Sequence, residues 1–331
     1  MKPKHLKGVK LRTVLTIFAV FVLSVLIGCG GAAREGELLT VDFQEGQSLR
    51  YQFVSSRNIE VDWDPTASGP KPPKNRVNTT SESMNMVVAY RAVEVDPYGL
   101  TTVEARCESV KVKRGKGPRR DAVESLRGKT FTFTVSPTGK IEDYSQLDAL
   151  ISELGKKAFD ASSKRGRVKN PDMISDFIAT QWFLWDSVSS IEKATEGVKA
   201  GQSWKSQLSV PTPMVMRRAR DVTYSLDEIR ESEKGRLAVI RSSYTSAESV
   251  PRSWPVPYTG KFQMRGRFGF LRKYNVLNLE GEGEELFNID AGRTEHYSQR
   301  YTLELEASLP MAMDVSPRIT IKQNLTMKLL D

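Results

Sequence analysis

A serine and a lysine at S-x-x-K spacing form the nucleophile and base of one class of acylating enzymes. This chain carries that spacing at Ser190 and Lys193, but its sequence contains neither the partner motif S-D-N nor the partner motif K-T-G. It also contains no G-x-S-x-G nucleophile elbow. We therefore predict no catalytic residues. An enzyme would at least require a pocket that gathers Ser190, Lys193 and a carboxylate.

Metal ligands are scarce in the sequence. The chain has 2 histidines, His5 and His296, so a histidine cluster for zinc cannot be assembled. The acidic run Glu280–Glu285 offers four carboxylates, but glycines alternate with them and would spread the carboxylates along a strand. An exposed strand face and a calcium site are the two interpretations, and we favour the exposed face. We predict no metal and no cofactor.

A basic stretch lies between two predicted strands. On a protein held at a membrane it could contact anionic lipid headgroups, each basic group contributing roughly 1 kcal/mol. The alternative is a solvated loop. The basic side chains of this stretch are Lys111, Lys113, Arg114, Lys116, Arg119 and Arg120.

An aromatic helix face is the third candidate surface. The spacing of apolar residues after Pro171 is typical of a helix with one broad apolar face. Such a face could line a cavity for an acyl chain, or it could pack the helix onto a sheet. The residues of this face that we single out are Phe177, Ile178, Trp182 and Trp185.

Alternating apolar residues predict the strands that must carry these groups. Leu49, Tyr51 and Phe53 alternate with polar residues, and the same period of two recurs along both halves of the chain. Alternation of this kind is typical of antiparallel strands with one buried face and one wet face. Cys107 falls in the apolar phase of its run, so we predict a buried thiol rather than a reactive one.

Two short phrases are each written twice. The segment "GKIEDYSQ" at 139–146 returns as "GRTEHYSQ" at 292–299, and "EGQSLRYQF" at 45–53 returns as "AGQSWKSQL" at 200–208. The spacing between the phrases is nearly the same in both halves, which indicates a duplicated unit. Helical spacing separates the halves, beginning near Leu147.

The predicted fold is mainly β, with duplicated antiparallel β-sheet units, half-barrel or sandwich-like, and a helical insert between the two copies. The first β-rich unit is placed at 39–144, the helical connector at 145–198 and the second β-rich unit at 199–331.

The N-terminus carries a targeting signal. Basic residues end at Arg12, an uncharged apolar run covers 13–27, and the run closes on Leu26, Ile27, Gly28 and Cys29. A run of this length is typical of a secretory signal rather than a bilayer span. The four closing residues resemble the lipobox of bacterial lipoproteins. An uncleaved signal anchor is the alternative. We therefore place a signal peptide at 1–28, and a lipidated cysteine with its tether at 29–38.

The resemblance implies that diacylglyceryl and acyl chains such as palmitate attach to Cys29 and anchor the protein in the membrane. Gly30 follows the cysteine where an aspartate would favour the inner membrane, which implies outer-membrane sorting in a cell with two membranes. The formal net charge of +9 does not indicate nucleic acid, because the five basic residues before position 13 account for more than half of it.

Beyond the lipobox, the chain resembles an uncharacterised group of bacterial envelope lipoproteins with two β-rich halves. The residues that carry this resemblance are "AGQSW" at 200–204, "VSPTGKI" at 135–141 and "NIDAGRT" at 288–294. It implies no activity. We predict a lipid-anchored, non-enzymatic envelope protein that acts as a binding or structural module, with an unknown envelope protein or lipid as its partner. The alternative is a carrier of lipid or another amphiphile in a β half-barrel cavity.

Overall fold

The computed structural model describes residues 36–66, 76–115, 121–160, 167–168, 173–210, 219–248, 272–308 and 316–330. Most of these residues are in strands. In chain order the strands are β1 (Ser48–Asp62), β2 (Val77–Val95), β3 (Thr101–Arg114), β4 (Thr130–Val135), β5 (Phe159–Asp160), β6 (Arg167–Val168), β7 (Ser203–Ser209), β8 (Ala219–Ser232), β9 (Gly235–Ser246), β10 (Arg272–Asn288), β11 (Arg293–Ser308) and β12 (Arg318–Leu330).

Ten of these strands form one antiparallel sheet in the order β4-β3-β2-β1-β12-β11-β10-β9-β8-β7. The sheet is open, because β4 and β7 at its two edges do not pair with each other. The predicted mainly β fold with a helical insert is confirmed. The two units are the two halves of a single sheet, joined where β1 pairs with β12. Of the two architectures weighed, a sandwich of separate sheets is therefore not the one observed.

The side chains on one face of the sheet are largely buried. In β1 the side chains from Leu49 to Val61 alternate strictly between a buried set at odd positions and a more exposed set at even positions. The pairing partners continue this alternation, so that Phe53 lies beside Met86 of β2 and Met327 of β12. All three of these side chains are fully buried. Period-two alternation in neighbouring strands thus produces one continuous apolar inner face.

Three helices lie between the two halves of the sheet in sequence and cover part of its inner face. They are α1 (Ser145–Ala158), α2 (Ile174–Phe183) and α3 (Asp186–Ser189). Helix α2 is buried almost all round, with Phe177, Ile178 and Phe183 in the same core as the strands. A helix that is apolar on most sides is stable only inside a core.

The two units open with the same turn. The amide of Gly46 donates to the carbonyl oxygen of Ala92 in β2, and the amide of Gly201 donates to that of Leu226 in β8. Both glycines have positive φ, 77° and 83°. The glutamine that follows each glycine accepts, through its side-chain oxygen, from the backbone amide three residues before it, with N–O distances of 3.2 and 3.1 Å. The repeated "GQS" phrase therefore marks one turn built twice.

The other repeated phrase begins at the last residue of the turn that follows the fourth strand in each unit. Gly139 follows β4 with φ of 79°, and Gly292 follows β10 with φ of 59°. The N-terminal segment runs between these turns: the amide of Val41 donates to Pro137, and the amide of Asp42 donates to Gly292. The backbone of Glu37 is already bonded in both directions to Val198, so the folded body begins within the segment predicted to be a tether.

Residues 1–35, including Cys29 and the rest of the lipobox, lie outside the part of the chain that the structure describes. Among the helices of the described residues, none has the length and apolar character needed to cross a bilayer.

Candidate functional site

A groove of about 990 Å³ crosses six strands of the sheet, from β3 to β10. Its lining residues come in triplets, such as Ser56–Asn58 of β1, and in each triplet the outer two side chains point away from the buried face. We call this feature the outer groove. The side chains that line it from the polar face are Ser56, Asn58, Ser81, Ser83, Lys113, Glu280, Glu282, Arg300, Thr302, Lys322 and Asn324.

Strand register explains why these polar side chains share one surface. Ser56 of β1 lies opposite Ser83 of β2 and Asn324 of β12, and Arg300 of β11 continues the same row. Residues that are directly opposite in adjacent strands project from the same face. The row ends at Glu282 of β10, which forms an ion pair with Arg300. The outer groove therefore presents hydroxyl, amide and ammonium groups over most of its length, and carboxylates at its β10 end.

Directly behind the groove, the inner face holds a buried charge network centred on Arg57. Its guanidinium lies 2.6 Å from Asp176 of α2 and 2.9 Å from Glu82 of β2, and all three side chains are fully buried. Asp176 also accepts hydrogen bonds from Ser55, at 2.7 Å, and from Gln323, at 2.6 Å. We call this set the Arg57 network. It ties the insert helix to β1, β2 and β12.

Electrostatics explain why Arg57 is charged in an apolar interior. Burial alone would lower the pKa of Arg57, but the carboxylates of Asp176 and Glu82 outweigh that effect and raise it. The network extends outward through Arg114, which forms ion pairs with both Glu82 and Asp121. Every charge in the Arg57 network, with Arg114 and Asp121 included, thus has an opposite charge beside it, as buried ions require.

A second buried arginine has a different environment. Arg220 of β8 is fully buried, and its guanidinium carbon lies 4.0 Å from the ring centre of Tyr244 and 4.8 Å from that of Phe183. Its Nη2 donates to the side-chain oxygen of Gln299 at 2.6 Å. Its Nε and Nη1 have no hydrogen-bond partner among the described residues, and neither has the amide nitrogen of Gln299. We call this set the Arg220 cage.

A chain of hydrogen-bonded tyrosine hydroxyl groups extends from Gln299 of the Arg220 cage. The Tyr297 hydroxyl donates to Gln299 at 3.0 Å and lies 3.2 Å from the hydroxyl of Tyr244, which lies 2.7 Å from Ser242. Glycine at position 283 leaves room for these groups, because a Cβ there would lie 2.4 Å from the Tyr244 hydroxyl oxygen. The second half of the sheet therefore encloses a chain of polar groups inside its apolar face.

Two buried carboxyl groups lie at the same half of the sheet, Glu285 on β10 and Asp186 at the start of α3, packed against it. Burial raises the pKa of Glu285 to about 7, against the opposing effect of the hydrogen bond that Thr294 donates to it at 2.6 Å. Burial likewise raises the pKa of Asp186 to about 6, against hydrogen bonds from Tyr224 and Ser206. Such raised values are typical both of functional sites and of buried structural networks. Among the described residues, Arg220 is the buried cation whose charge lowers the pKa of Asp186.

The predicted aromatic face packs the helix onto the sheet. Phe177 meets Phe131 edge to face at 6.0 Å, and Trp185 lies 5.6 Å from Phe133 and 6.0 Å from Tyr90. Ile178 is buried in the same core. Trp182 is half-buried and meets Tyr144 at 5.4 Å. Of the two interpretations offered for these residues, the described contacts correspond to helix packing.

The predicted basic stretch separates into different environments. Lys111 and Lys113 are exposed on the outer face of β3, and Lys113 lines the outer groove. Arg114 turns inward and joins the ion pairs with Glu82 and Asp121. Its side chain is 9% exposed and is therefore committed to the interior. Lys116, Arg119 and Arg120 lie outside the described residues.

The S-x-x-K residues do not face each other. The Ser190 hydroxyl donates to the carbonyl oxygen of Asp186 at 2.7 Å, at the end of α3. Lys193 is exposed and pairs with Glu196. Neither contact activates a serine hydroxyl as a nucleophile.

The other residues considered for chemistry lie on strands. His296 is half-buried on β11, opposite Lys328 of β12. Along the acidic run, Glu280, Glu282 and Glu284 are exposed, whereas Glu285 points into the core. No three histidine, cysteine, aspartate or glutamate side chains of the described residues gather in a group suited to a metal ion. Cys107 is buried as predicted, and burial raises its pKa to about 12.

Sequence reasoning missed both buried arginines, although a signal for them was present. Arg57 follows Tyr51, Phe53 and Ser55 in the inward phase of β1, and Arg220 precedes Val222 in the inward phase of β8. A charged residue at an inward position of an alternating strand indicates a buried network or a site. The outer groove had no comparable signal, because its polar residues are those expected on any wet strand face.

No protein-family model and no curated protein matches this chain. Among solved structures, one match is lipovitellin, in a structure described by its lipid–protein interactions. It has 11% sequence identity and a TM-score of 0.42, and the match covers 88% of this chain and 26% of the lipovitellin chain. The chain therefore spans about a quarter of that protein, and a likeness this low carries no argument about function.

Proposed function

We propose that this protein is a lipid-anchored, non-enzymatic component of a bacterial cell envelope that binds an envelope protein through its outer groove. The anchor rests on the basic, apolar and L-I-G-C segments that end at Cys29. The binding role rests on the outer groove, where aligned strands present polar side chains over six strands. The outer membrane is the expected location, because Gly30 follows the cysteine.

The anchor is tested by the substitution Cys29→Ser. Removal of the thiol removes the atom to which the lipid attaches, so we expect the variant to leave the membrane fraction and to change its electrophoretic mobility. Mass spectrometry of the N-terminal peptide would identify the acyl chains directly. If the variant fractionated and migrated as the wild type does, the lipid anchor would be wrong.

The groove is tested by photo-crosslinking in cells. A photoreactive side chain at Asn324 lies in the groove, and one at Lys328 lies on the same face of the same strand but outside it. We expect a discrete adduct from position 324 and none from position 328, and Lys322→Glu should weaken the adduct. The captured protein would then be purified and its binding measured. Equal labelling from both positions would contradict a role for the groove.

A second function, a carrier for an amphiphile, is favoured by the Arg220 cage. A fully buried guanidinium with two nitrogens that have no partner in the described part of the chain offers donors to a carboxylate or phosphate, and the rings around it offer apolar contact. We expect such a carrier to retain an acidic amphiphile through purification, detectable by mass spectrometry of a solvent extract. Arg220→Met should release it. Clean extracts from the wild-type protein would contradict the carrier function.

A further inference from the structure

Exposed large apolar side chains concentrate at one end of the sheet. Of the five found among the described residues, Tyr98, Leu38 and Leu100 are 88%, 48% and 36% exposed. Tyr98 and Leu100 belong to the turn between β2 and β3, and Leu38 belongs to the N-terminal segment. The other two, Val77 and Leu277, lie near the starts of β2 and β10, toward the opposite end.

The β2–β3 turn holds Tyr98 rigidly in its exposed position. The Asp96 carboxylate accepts hydrogen bonds from the amides of Tyr98 and Leu100, both at 2.8 Å. Gly99, with φ of 83°, donates to the carbonyl oxygen of Asp96 at 3.0 Å. These hydrogen bonds order the backbone of the turn that carries the exposed Tyr98 ring. Water solvates such a ring poorly, and tyrosine rings favour membrane interfaces.

The N-terminal segment pairs with a second turn, at Pro137, that contacts the β2–β3 turn. A Cβ on Gly99 would lie 2.7 Å from the ring of Pro137, so the two turns touch. The carbonyl oxygen of Pro137 accepts from the amide of Val41, 2.8 Å away. Leu38 is three residues before Val41 in the sequence. The exposed apolar side chains and the point of chain entry therefore belong to the same end of the molecule.

Chain length ties this end to the bilayer. From Gly36 back to Cys29 an extended chain spans at most about 25 Å, whereas β1 alone is about 50 Å long. If the apolar run 13–27 instead stays in the membrane as an uncleaved anchor, the greatest distance from the membrane to Gly36 changes by only a few ångströms.

We propose that the protein stands on the membrane by this end, with Tyr98 at the level of the lipid headgroups and Leu38 and Leu100 beside it. The proposal rests on the membrane anchor of the proposed function and adds an orientation to it. The opposite end of the sheet then faces away from the bilayer. The outer groove runs across the strands and lies clear of the lipid, open to a partner.

Spin labels on the mature, membrane-anchored chain test the orientation. The label would be placed by Tyr98→Cys, with Val77→Cys at the far end as the matched control. Cys107 does not compete for the label, because its buried thiol has its pKa raised to about 12. In phosphatidylcholine vesicles, we expect collisions with a water-soluble nickel chelate to be about twofold or more rarer at position 98 than at position 77.

Two measurements keep the orientation and the anchor separate. Equal collision rates at positions 98 and 77, in protein whose N-terminal peptide carries the lipid mass, would overturn the orientation and leave the anchor intact. Rarer collisions at position 77 would overturn it as well and place the far end on the membrane. Protein that carries no lipid mass and does not float with vesicles would overturn the anchor, and the orientation with it.

Discussion

The first unit, β1–β4, and the second unit, β7–β10, share their strand order and their opening turn but treat buried charge differently. In the first unit Arg57 is neutralised by two carboxylates, Asp176 and Glu82. In the second unit Arg220 is surrounded by aromatic rings and has a single amide acceptor. Backbone hydrogen bonds are therefore what the two units have in common, and the inward polar side chains are what distinguishes them.

The units also differ after their repeated turn. The chain beyond Gly139 makes a short bridge back to β4 and then enters α1 at Ser145. The chain beyond Gly292 continues as the full strand β11, which then pairs with β12. Nearly the same phrase thus precedes a helix in one unit and a strand in the other. The surroundings of the phrase, rather than its local propensity, decide which one forms.

The largest expected contrast lies between the two arginines. Arg57→Met takes the cation away from the buried Asp176 and leaves Glu82 with its ion pair to Arg114, so we expect the free energy of unfolding to fall by about 3–5 kcal/mol. Arg220→Met removes a buried charge that forms no ion pair with a carboxylate of the described residues, so we expect no loss or a gain of up to a few kcal/mol. Urea denaturation of both variants measures the difference. Equal losses would show that the two environments are energetically alike.

The pH dependence of stability should come largely from the second unit. Glu285 has its pKa raised from 4.5 to about 7 in the folded protein, so the folded state binds more protons than the unfolded state in that window. Stability should therefore fall as the pH rises from 4.5 to about 7, by an amount on the order of 2 kcal/mol.

Glu285→Gln should flatten this decline, because the amide does not titrate. Asp186 contributes in the same direction and would account for the remaining slope, since its pKa is raised to about 6. The measurement is a series of denaturation curves across that range for both proteins. A decline that is unchanged in the variant would assign the pH dependence to other groups.

The turn glycines give a smaller contrast. Both Gly139 and Gly292 have positive φ, so alanine strains either turn by about 1–2 kcal/mol. A Cβ on Gly292 would lie 2.5 Å from the backbone nitrogen of Asp42, whereas one on Gly139 would lie no nearer than 3.1 Å to any atom. We expect Gly292→Ala to be the more destabilising by about 1 kcal/mol or more. Thermal unfolding of the two variants measures this difference. A Gly139→Ala variant less stable than Gly292→Ala would contradict the comparison.

The opening glycines should show the smallest difference. Gly46 and Gly201 have φ of 77° and 83°, and a Cβ on either would meet nothing within 4 Å. Backbone strain is then the only cost, so each alanine variant should lose about 1 kcal/mol, and the two losses should be equal. Calorimetry of the pair tests whether the turns are energetically equivalent. If the two variants lost different amounts of stability, the two turns would be equivalent only in their hydrogen bonds.

Much of the fold was readable from local patterns. Alternation predicted the buried phase of β1 and the burial of Cys107, and the repeated phrases predicted two equivalent units. The aromatic helix face was recognised, but its two interpretations could be separated only by its contacts with Phe131 and Phe133. The outer groove was not predicted, because it depends on which strands become neighbours.

The sequence by itself predicted a membrane signal before Cys29, and it determined the mainly β class and the order of elements, since these depend on residue type and spacing along the chain. Tertiary structure decided the pairing of β1 with β12, which joins the two units into one open sheet. It also decided which buried charges are compensated, and that the N-terminal segment bonds to the turns at Pro137 and Gly292. These contacts join residues far apart in the chain, and no local periodicity records which partner a strand will choose.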